Sequence, residues 1–412
     1  MNDDSSKLLS TSKDVVLALQ HLMAMFGATV LVPMITGLDP SIALFTAGIG
    51  TLIFHLCTGG KVPVFLGSSF AFIAAIVAVR DSHGGDLAFA QGGILIAGLI
   101  YVLVSFLIKK IGSEKLEKFL PPQVVGPMII VIGLSLIPTA VDMASEHFLI
   151  AALTLAIALI INFMGKGFFK QLSILVAIIV GYIVAWRVGL VDMAPVIESK
   201  LISMPNFTLP KFSISAILVI APVVLAVFME HVGDITTNGQ VVGKNFIEDP
   251  GLHKTLLGDG LATMFAAMVG GPANTTYGEN TGVLAITKNY NPAILRLAAI
   301  FAVLLGFISK IGAFLGTIPS SVMGGISIML FGMIALIGVQ TLQNSKVKFD
   351  MRNVIVMATI IILGLGTGLL ESIFDIKIGI PISETDAISG LSLAAIVGIV
   401  LNLILNSNRS KA

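Results

Sequence analysis

The chain has 412 residues, 56% of them hydrophobic and 11% charged, with a formal net charge of +1 and a mean hydropathy of +1.00. Soluble proteins carry about 25% charged residues, so a soluble domain of any size is excluded and a polytopic membrane protein is left. Near neutrality argues against a polyanionic partner, and the single cysteine, Cys57, rules out an internal disulfide or a thiolate metal cluster.

Apolar runs broken by Gly, Pro and charge predict fourteen membrane segments, at about 14–36, 41–59, 63–80, 87–109, 121–142, 148–165, 171–191, 213–232, 253–270, 272–288, 293–315, 319–339, 351–370 and 386–405. The opening MNDDSSKLLSTSK lacks the basic, apolar, small-residue order of a cleaved signal peptide, so the first segment is expected to remain. With the N-terminus in the cytoplasm, 18 of the 24 Lys and Arg fall on that side; only Arg80, Arg187, Lys200, Lys211, Lys310 and Lys377 fall on the other. The positive-inside rule is then met with an even number of crossings and a cytoplasmic C-terminus.

Sliding the second half back by about 210 residues places Gln20-His21 on Glu230-His231, Gly48 and Gly50 on Gly258 and Gly260, and Gly60 on Gly270. With the offset one shorter, Pro63 falls on Pro272 and Phe70 on Glu279; further on, Pro122 and Gly126 resemble Pro319 and Gly324. Seven segments per half is an odd number, so the halves cross in opposite senses: an inverted repeat, which places two broken segments back to back near the midplane.

Segment 10 is the most informative. Gly270 to Lys288 reads GGPANTTYGENTGVLAITK. A carboxylate at mid-bilayer depth costs roughly 2.5–3.5 kcal/mol, and Pro272 and Gly278 weaken the backbone bonding that lipid demands. Irregular backbone at that depth survives around a protein-lined cavity, so the expectation is an extended piece followed by a half-helix whose free N–H groups near Glu279 meet a ligand. The plainer alternative is a solvent loop with Glu279 capping the next helix.

In segment 8, Glu230 closes the apolar run ISAILVIAPVVLAVFM and Asp234 follows on the same helix face. Two carboxylates on one poorly solvated face do not both ionise readily, which suits a proton-linked site; a helix end facing water is the alternative. His21, inside segment 1, can carry a proton or make a structural hydrogen bond. Phe70, in LGSSFAF, can stack on a flat ligand or simply fill the interior. Asp259 in segment 9 is read as a local cap or pair. The chain has no Walker A loop, no H-E-x-x-H and no G-x-S-x-G, and Gly67-Ser68-Ser69 lacks a base partner. The reading is therefore a transporter driven by a gradient, with no enzyme activity, cofactor or metal.

Glu279-Asn280-x-Gly282, then four residues and Thr287-Lys288, resembles the signature of the nucleobase/ascorbate transporter family, as do Gln20-His21, LGSSFAF at Leu66 to Phe72 and EHVG at Glu230 to Gly233. The resemblance runs from about residue 14 to 405, and NTTYGEN and LGSSFAF most resemble the family's bacterial uracil permeases. It implies an all-α membrane fold of fourteen segments in a 7+7 inverted repeat, with short strands in segments 3 and 10. A core domain would comprise 14–109 and 213–315 and a gate domain 121–191 and 319–405, with a homodimer formed through the gate. By the same resemblance Glu230 and Glu279 would hydrogen-bond uracil or a related nucleobase, Phe70 and Gly278 would offer main-chain contacts, Tyr277 would wall the pocket and Ala28 would lie against the ring. Protons, the coupling ion, would pass through Glu230, Asp234, Glu279 and His21. Two positions depart from the uracil-permease pattern: Asp234 stands where a second His follows EHVG, an alternative seen in purine-transporting relatives, and Phe331 stands where a Tyr can reach the first-segment His.

Overall fold

The computed structural model of the chain describes residues 12–112, 121–374, 378–381 and 387–406. The polar opening at 1–11 and the charges at Lys7, Lys115, Lys118, Lys377, Arg409 and Lys411 lie outside these residues.

The first half contains helices α1 (Ser12–Thr36) and α2 (Pro40–Cys57), strand β1 (Leu66–Ser68), α3 (Ile73–Ser82), α4 (Ala88–Ile111), α5 (Pro122–Ser135), α6 (Ile137–Ser145), α7 (Phe148–Met164) and α8 (Ser173–Arg187). The second half contains α9 (Ile214–Ile220), α10 (Val223–Val242), α11 (Leu252–Val269), strand β2 (Asn274–Thr276), α12 (Gly278–Thr287), α13 (Pro292–Gly306), α14 (Ser309–Gly316), α15 (Ser320–Asn344), α16 (Met351–Phe374) and α17 (Gly390–Asn406). Local chemistry sets several starts: the side-chain oxygens of Asp39 and Asn291 accept from the N–H of Ser41 and Ala293, with Pro40 and Pro292 at the first helical position.

The fold is mostly helical and of membrane type. Among the described residues, seven helices are long and apolar enough to cross a membrane, or eight when α13 and α14, bent by 77°, count as one. The difference from fourteen predicted segments has physical causes. Segments 3 and 10 divide between a strand and a ten-residue helix, segments 6, 7 and 14 form apolar helices shorter than 18 residues, and segment 9 (Leu252–Val269) carries His253, Lys254 and Asp259. Segment 5 restarts at Leu136, just before Pro138. Segment 8 breaks before Pro222 and runs on to Val242, ten residues past its predicted end, because Asp234 and Asn238 find partners inside the protein.

Packing is reciprocal between the halves. Segment 2 (α2) lies on segment 11 (α13) as segment 9 (α11) lies on segment 4 (α4), and α5 lies on α16 as α15 lies on α7. Helices α2, α4, α11 and α13 thus form one packed set and α5, α7, α15 and α16 another. Apolar clusters join the sets, one through Ile94, Ile132, Ile220 and Ile360, another through Leu44, Ala158 and Phe331.

Candidate functional site

The two broken segments meet. Strand β1 pairs antiparallel with β2, Leu66 opposite Thr276, Gly67 opposite Thr275 and Ser68 opposite Asn274. The ladder continues on both sides: Ser69 N–H donates to the Ala273 carbonyl (2.8 Å) and Tyr277 N–H to that of Phe65 (3.0 Å). Three residues of strand place six backbone groups in a buried position where lipid could not satisfy them. From opposite ends of this ladder leave the single 3-10 turn Phe70–Phe72 with α3, and α12. No N-cap side chain bonds either start; the Glu279 carboxyl meets its own N–H, and the other first N–H groups lie at the positive end of a helix, where a ligand can meet them.

Buried side chains fix the ladder. Asn274 donates to the Thr46 carbonyl on α2 (3.1 Å), while Thr263 on α11 donates to the Asn274 carbonyl (3.1 Å). Ser68 Oγ donates to the Thr29 carbonyl on α1, and the Tyr277 hydroxyl donates to the Ser68 carbonyl, both at 2.9 Å. The Tyr277 ring lies against Gly67, where any Cβ would run into it; this is why LGSSF needs its glycine. Asn280 donates to the His21 carbonyl (3.0 Å) and approaches His21 Nδ1 (3.2 Å), and Asn238 on α10 donates to the Pro63 carbonyl (3.0 Å) and Thr281 Oγ1 (3.1 Å). Each such bond contributes about 1 kcal/mol, and leaving a buried partner unsatisfied costs about 1–3 kcal/mol.

Around this frame stand the acidic residues. Glu230 and Asp234 lie one turn apart on α10, and Glu279 occupies the first turn of α12. All three are deeply enclosed by protein yet keep part of their surface open, as do Phe70 and, more fully, Gly233 and Gly278. Glu230 is within electrostatic reach of Glu279 and Asp259, and Asp234 within reach of all three. One oxygen of Asp234 accepts from the Thr276 hydroxyl at 2.8 Å. Phe70 meets Phe331 edge-on, with ring centroids 6.4 Å apart. Tyr277 and Ala28 are buried, 4% and 0% exposed. Beside the Phe70 turn a cavity of about 200 Å³ runs between Ala71 and Ala74 on one side and Ser135, Gly364, Thr367 and Ser389 on the other.

Glu230, Asp234, Glu279, Phe70, Gly278 and Tyr277 therefore come together, while His21 is held against Asn280. The sequence assigns no role to Asn238, marks Asn274 and Thr276 only as part of a polar run, and does not reveal that His231 and Asp259 face each other. His231 turns away from the neighbouring Glu230; its Nε2 meets Thr255 Oγ1 at 3.0 Å and its Nδ1 lies 3.3 Å from Asp259 Oδ2, both residues fully buried. Asp259 thus pairs with another segment and is not a local cap. The signal for Thr276 and Asn274 was present: both lie in the polar run before Glu279, whose strand partner cannot be seen in one segment alone.

A site with open helix N-termini, carboxylates and an aromatic edge suits a planar ligand carrying both N–H and carbonyl groups. The profile of the Permease family matches residues 12–372. The chain is 45% identical over 407 residues to the uracil permease of Bacillus caldolyticus, covering 95% of this chain and 91% of that one. It is 43% identical over 412 residues to that of Bacillus subtilis (strain 168), covering 95% and 92%, and 38% identical over 402 residues to that of Escherichia coli (strain K12), covering 95% and 90%. Among solved structures, the transmembrane domain of the cyanobacterial bicarbonate transporter BicA superposes with a TM-score of 0.65 at 15% identity, covering 87% of this chain and 96% of that one. Murine Slc26a9 in the inward-facing state gives 0.68 at 10%, covering 98% and 69%. At such identities these two share the fold alone. With nine-tenths of each permease relative covered, and the family profile spanning most of the chain, this protein is a multi-pass membrane transporter belonging to the permease family of the uracil permeases.

Proposed function

We propose that the chain imports uracil across the cell membrane together with protons, by alternating access, with both termini in the cytoplasm. The observation that carries this reading is the position of Glu230 and Glu279. They come from different broken or interrupted segments, lie within electrostatic reach of each other, and flank an uncapped helix start. A protonated carboxyl can donate to a uracil carbonyl and an ionised one can accept from a ring N–H. A charge carried through a low-dielectric site must be neutralised or paired, so proton and substrate binding are linked, and linkage is reciprocal. Phe70 and Gly278 offer main-chain groups, Tyr277 and Ala28 shape the wall, and Asp234 and His21 are the further candidates for the proton route.

The reciprocal packing and antiparallel strands support a 7+7 inverted repeat of fourteen segments. In this reading 14–109 with 213–315 is the core domain carrying the site, and 121–191 with 319–405 is the gate against which it moves. The cavity beside Ala71 lies at their boundary. A homodimer through the gate completes the proposal.

A purine or xanthine substrate is the second reading. It is favoured by Asp234, a third carboxylate at the site, which suits a ligand with more N–H donors. An anion substrate, as for the structural neighbours, is disfavoured by the acidic surround. The test is uptake of labelled uracil into vesicles holding the purified protein, with and without an imposed pH gradient. Gradient-driven accumulation, competed by unlabelled uracil more than by xanthine, is expected; accumulation indifferent to the gradient, or competed best by xanthine, would overturn the corresponding part.

A further inference from the structure

The connection between α8 and α9 is the least regular long stretch of the described chain, and its two sides differ sharply in character. From Ser199 to Ser213 it has neither helix nor strand, yet it is firmly attached. Ser203 N–H donates to the Phe307 carbonyl (3.2 Å), Thr208 N–H to that of Val269 (3.3 Å) and Lys211 N–H to that of Ala88 (2.8 Å). The Ser203 and Ser309 hydroxyls bond each other, and Lys211 Nζ pairs with Asp86 at 2.7 Å. Pro205 is buried, the Phe207 ring lies 5.3 Å from that of Phe45, and Thr208 sits over Gly270, where a Cβ would collide with it.

The opposite side is apolar and bare. Leu201, Ile202, Met204, Leu209 and Phe212 are 62%, 67%, 73%, 79% and 57% exposed. An apolar patch of this density marks an interaction surface. Its occupant follows from where the strap lies. Each backbone partner is at an end of an apolar helix: Ala88 opens α4, Val269 closes α11 and Phe307 follows α13. The patch is continuous with Ile214, 75% exposed at the start of a span that runs to Val242 and is less than half buried in the protein. The bare side chains therefore sit at the level where helices leave the hydrocarbon, beside surface that lipid already covers. Lys200, exposed, places an ammonium group at one end of the patch, as suits phospholipid headgroups.

We infer that residues 201–212 form an interfacial strap whose Leu201, Ile202, Met204, Leu209 and Phe212 side chains lie in the headgroup–acyl boundary of a phospholipid leaflet. Because its bonds go to α4, α11 and the α13–α14 bend, the strap is tied to the depth of these helices, of which α11 leads into strand β2, and any displacement of them along the membrane normal must carry these side chains with it.

The test uses the full chain with Cys57→Ala and a single Leu209→Cys, labelled with an environment-sensitive fluorophore and reconstituted into phosphatidylcholine vesicles containing phosphatidylglycerol. Lipids bearing a nitroxide near the headgroup should quench the label, and iodide added on both sides should leave it nearly unchanged. Quenching by iodide and not by the nitroxide lipid would place the side chain in water and overturn the inference. Protection from both, with energy transfer between labelled copies, would assign the patch to a second copy of this chain and overturn it equally. If Leu209→Cys does not accumulate, Met204→Cys gives the same reading.

Discussion

The two broken segments share a backbone plan and differ in chemistry. Each has a proline, three strand residues and a ten-residue helix with an open start, and the two strands pair with each other. At matching positions, however, the first repeat supplies Gln20 and Phe70 where the second supplies Glu230 and Glu279. Their histidines diverge as well: His21 is held by Asn280 of the opposite repeat, whereas His231 is buried against Asp259 and Thr255 of its own. The shared backbone plan pairs the two helix starts, and the difference in side chains puts the titratable groups on the second of them and on α10. A flat ligand between the two starts would meet an aromatic edge and neutral N–H groups on one side and carboxylates on the other.

That contrast can be broken by removing charge from the second repeat. Glu279→Gln or Glu230→Gln should abolish gradient-driven uracil uptake in vesicles. Each should also weaken binding at least roughly tenfold, since a hydrogen bond to a charged group contributes about 1.5–3 kcal/mol; full uptake by both variants would remove their assigned roles. Breaking the shared backbone comes next. Gly67→Ala drives a methyl into the Tyr277 ring and should cost about 1–3 kcal/mol of stability, read as a lowered melting temperature of the purified protein. Asn280→Ala, which removes the bond to the His21 carbonyl, should cost about 0.5–1.5 kcal/mol and loosen α12 against α1, read as faster hydrogen exchange over residues 278–287.

On the neutral side, Phe70→Leu keeps the volume but loses the ring edge. It should raise the KM for uracil by roughly tenfold or less, the range of an aromatic contact of about 0.5–1.5 kcal/mol, with the maximal rate little changed. The smallest effect lies outside the membrane. The Lys211 ammonium, with the Ala88 N–H, holds the Asp86 carboxyl below the usual carboxylate range. The stabilisation is then present above the unfolded value of about 3.9 and lost as pH falls through the lowered folded value. Lys211→Ala should thus lower the melting temperature slightly at neutral pH and not at acid pH, and added salt should shrink the difference.

Much of this was legible in the sequence because membranes restrict what backbone can do. Pro63, Pro272 and the polar run at Asn274 to Tyr277 are costly in lipid, so a broken pair of segments could be read before any coordinates. The offset that matches Gln20-His21 to Glu230-His231 points to an inverted repeat, and the reciprocal packing supports it. Segment lengths were less legible. Hydropathy falls off after Met229 and so ends segment 8 at 232, whereas the helix continues to Val242 through polar residues that are bonded within the protein. Pairings were least legible. Nothing in the spacing of Thr276 and Asp234, or of His231 and Asp259, says that they touch, because each contact depends on how two segments lie side by side.

The central claim is that Glu230 and Glu279 together recognise uracil, and ligand-induced stabilisation of the purified protein tests it most directly. A ligand that binds the folded state raises the melting temperature by mass action. Uracil is expected to raise that of the unsubstituted chain more than adenine, xanthine or bicarbonate does, and to leave Glu230→Gln and Glu279→Gln unmoved. Equal stabilisation of the variants by uracil, or stabilisation by bicarbonate in place of any base, would contradict the account.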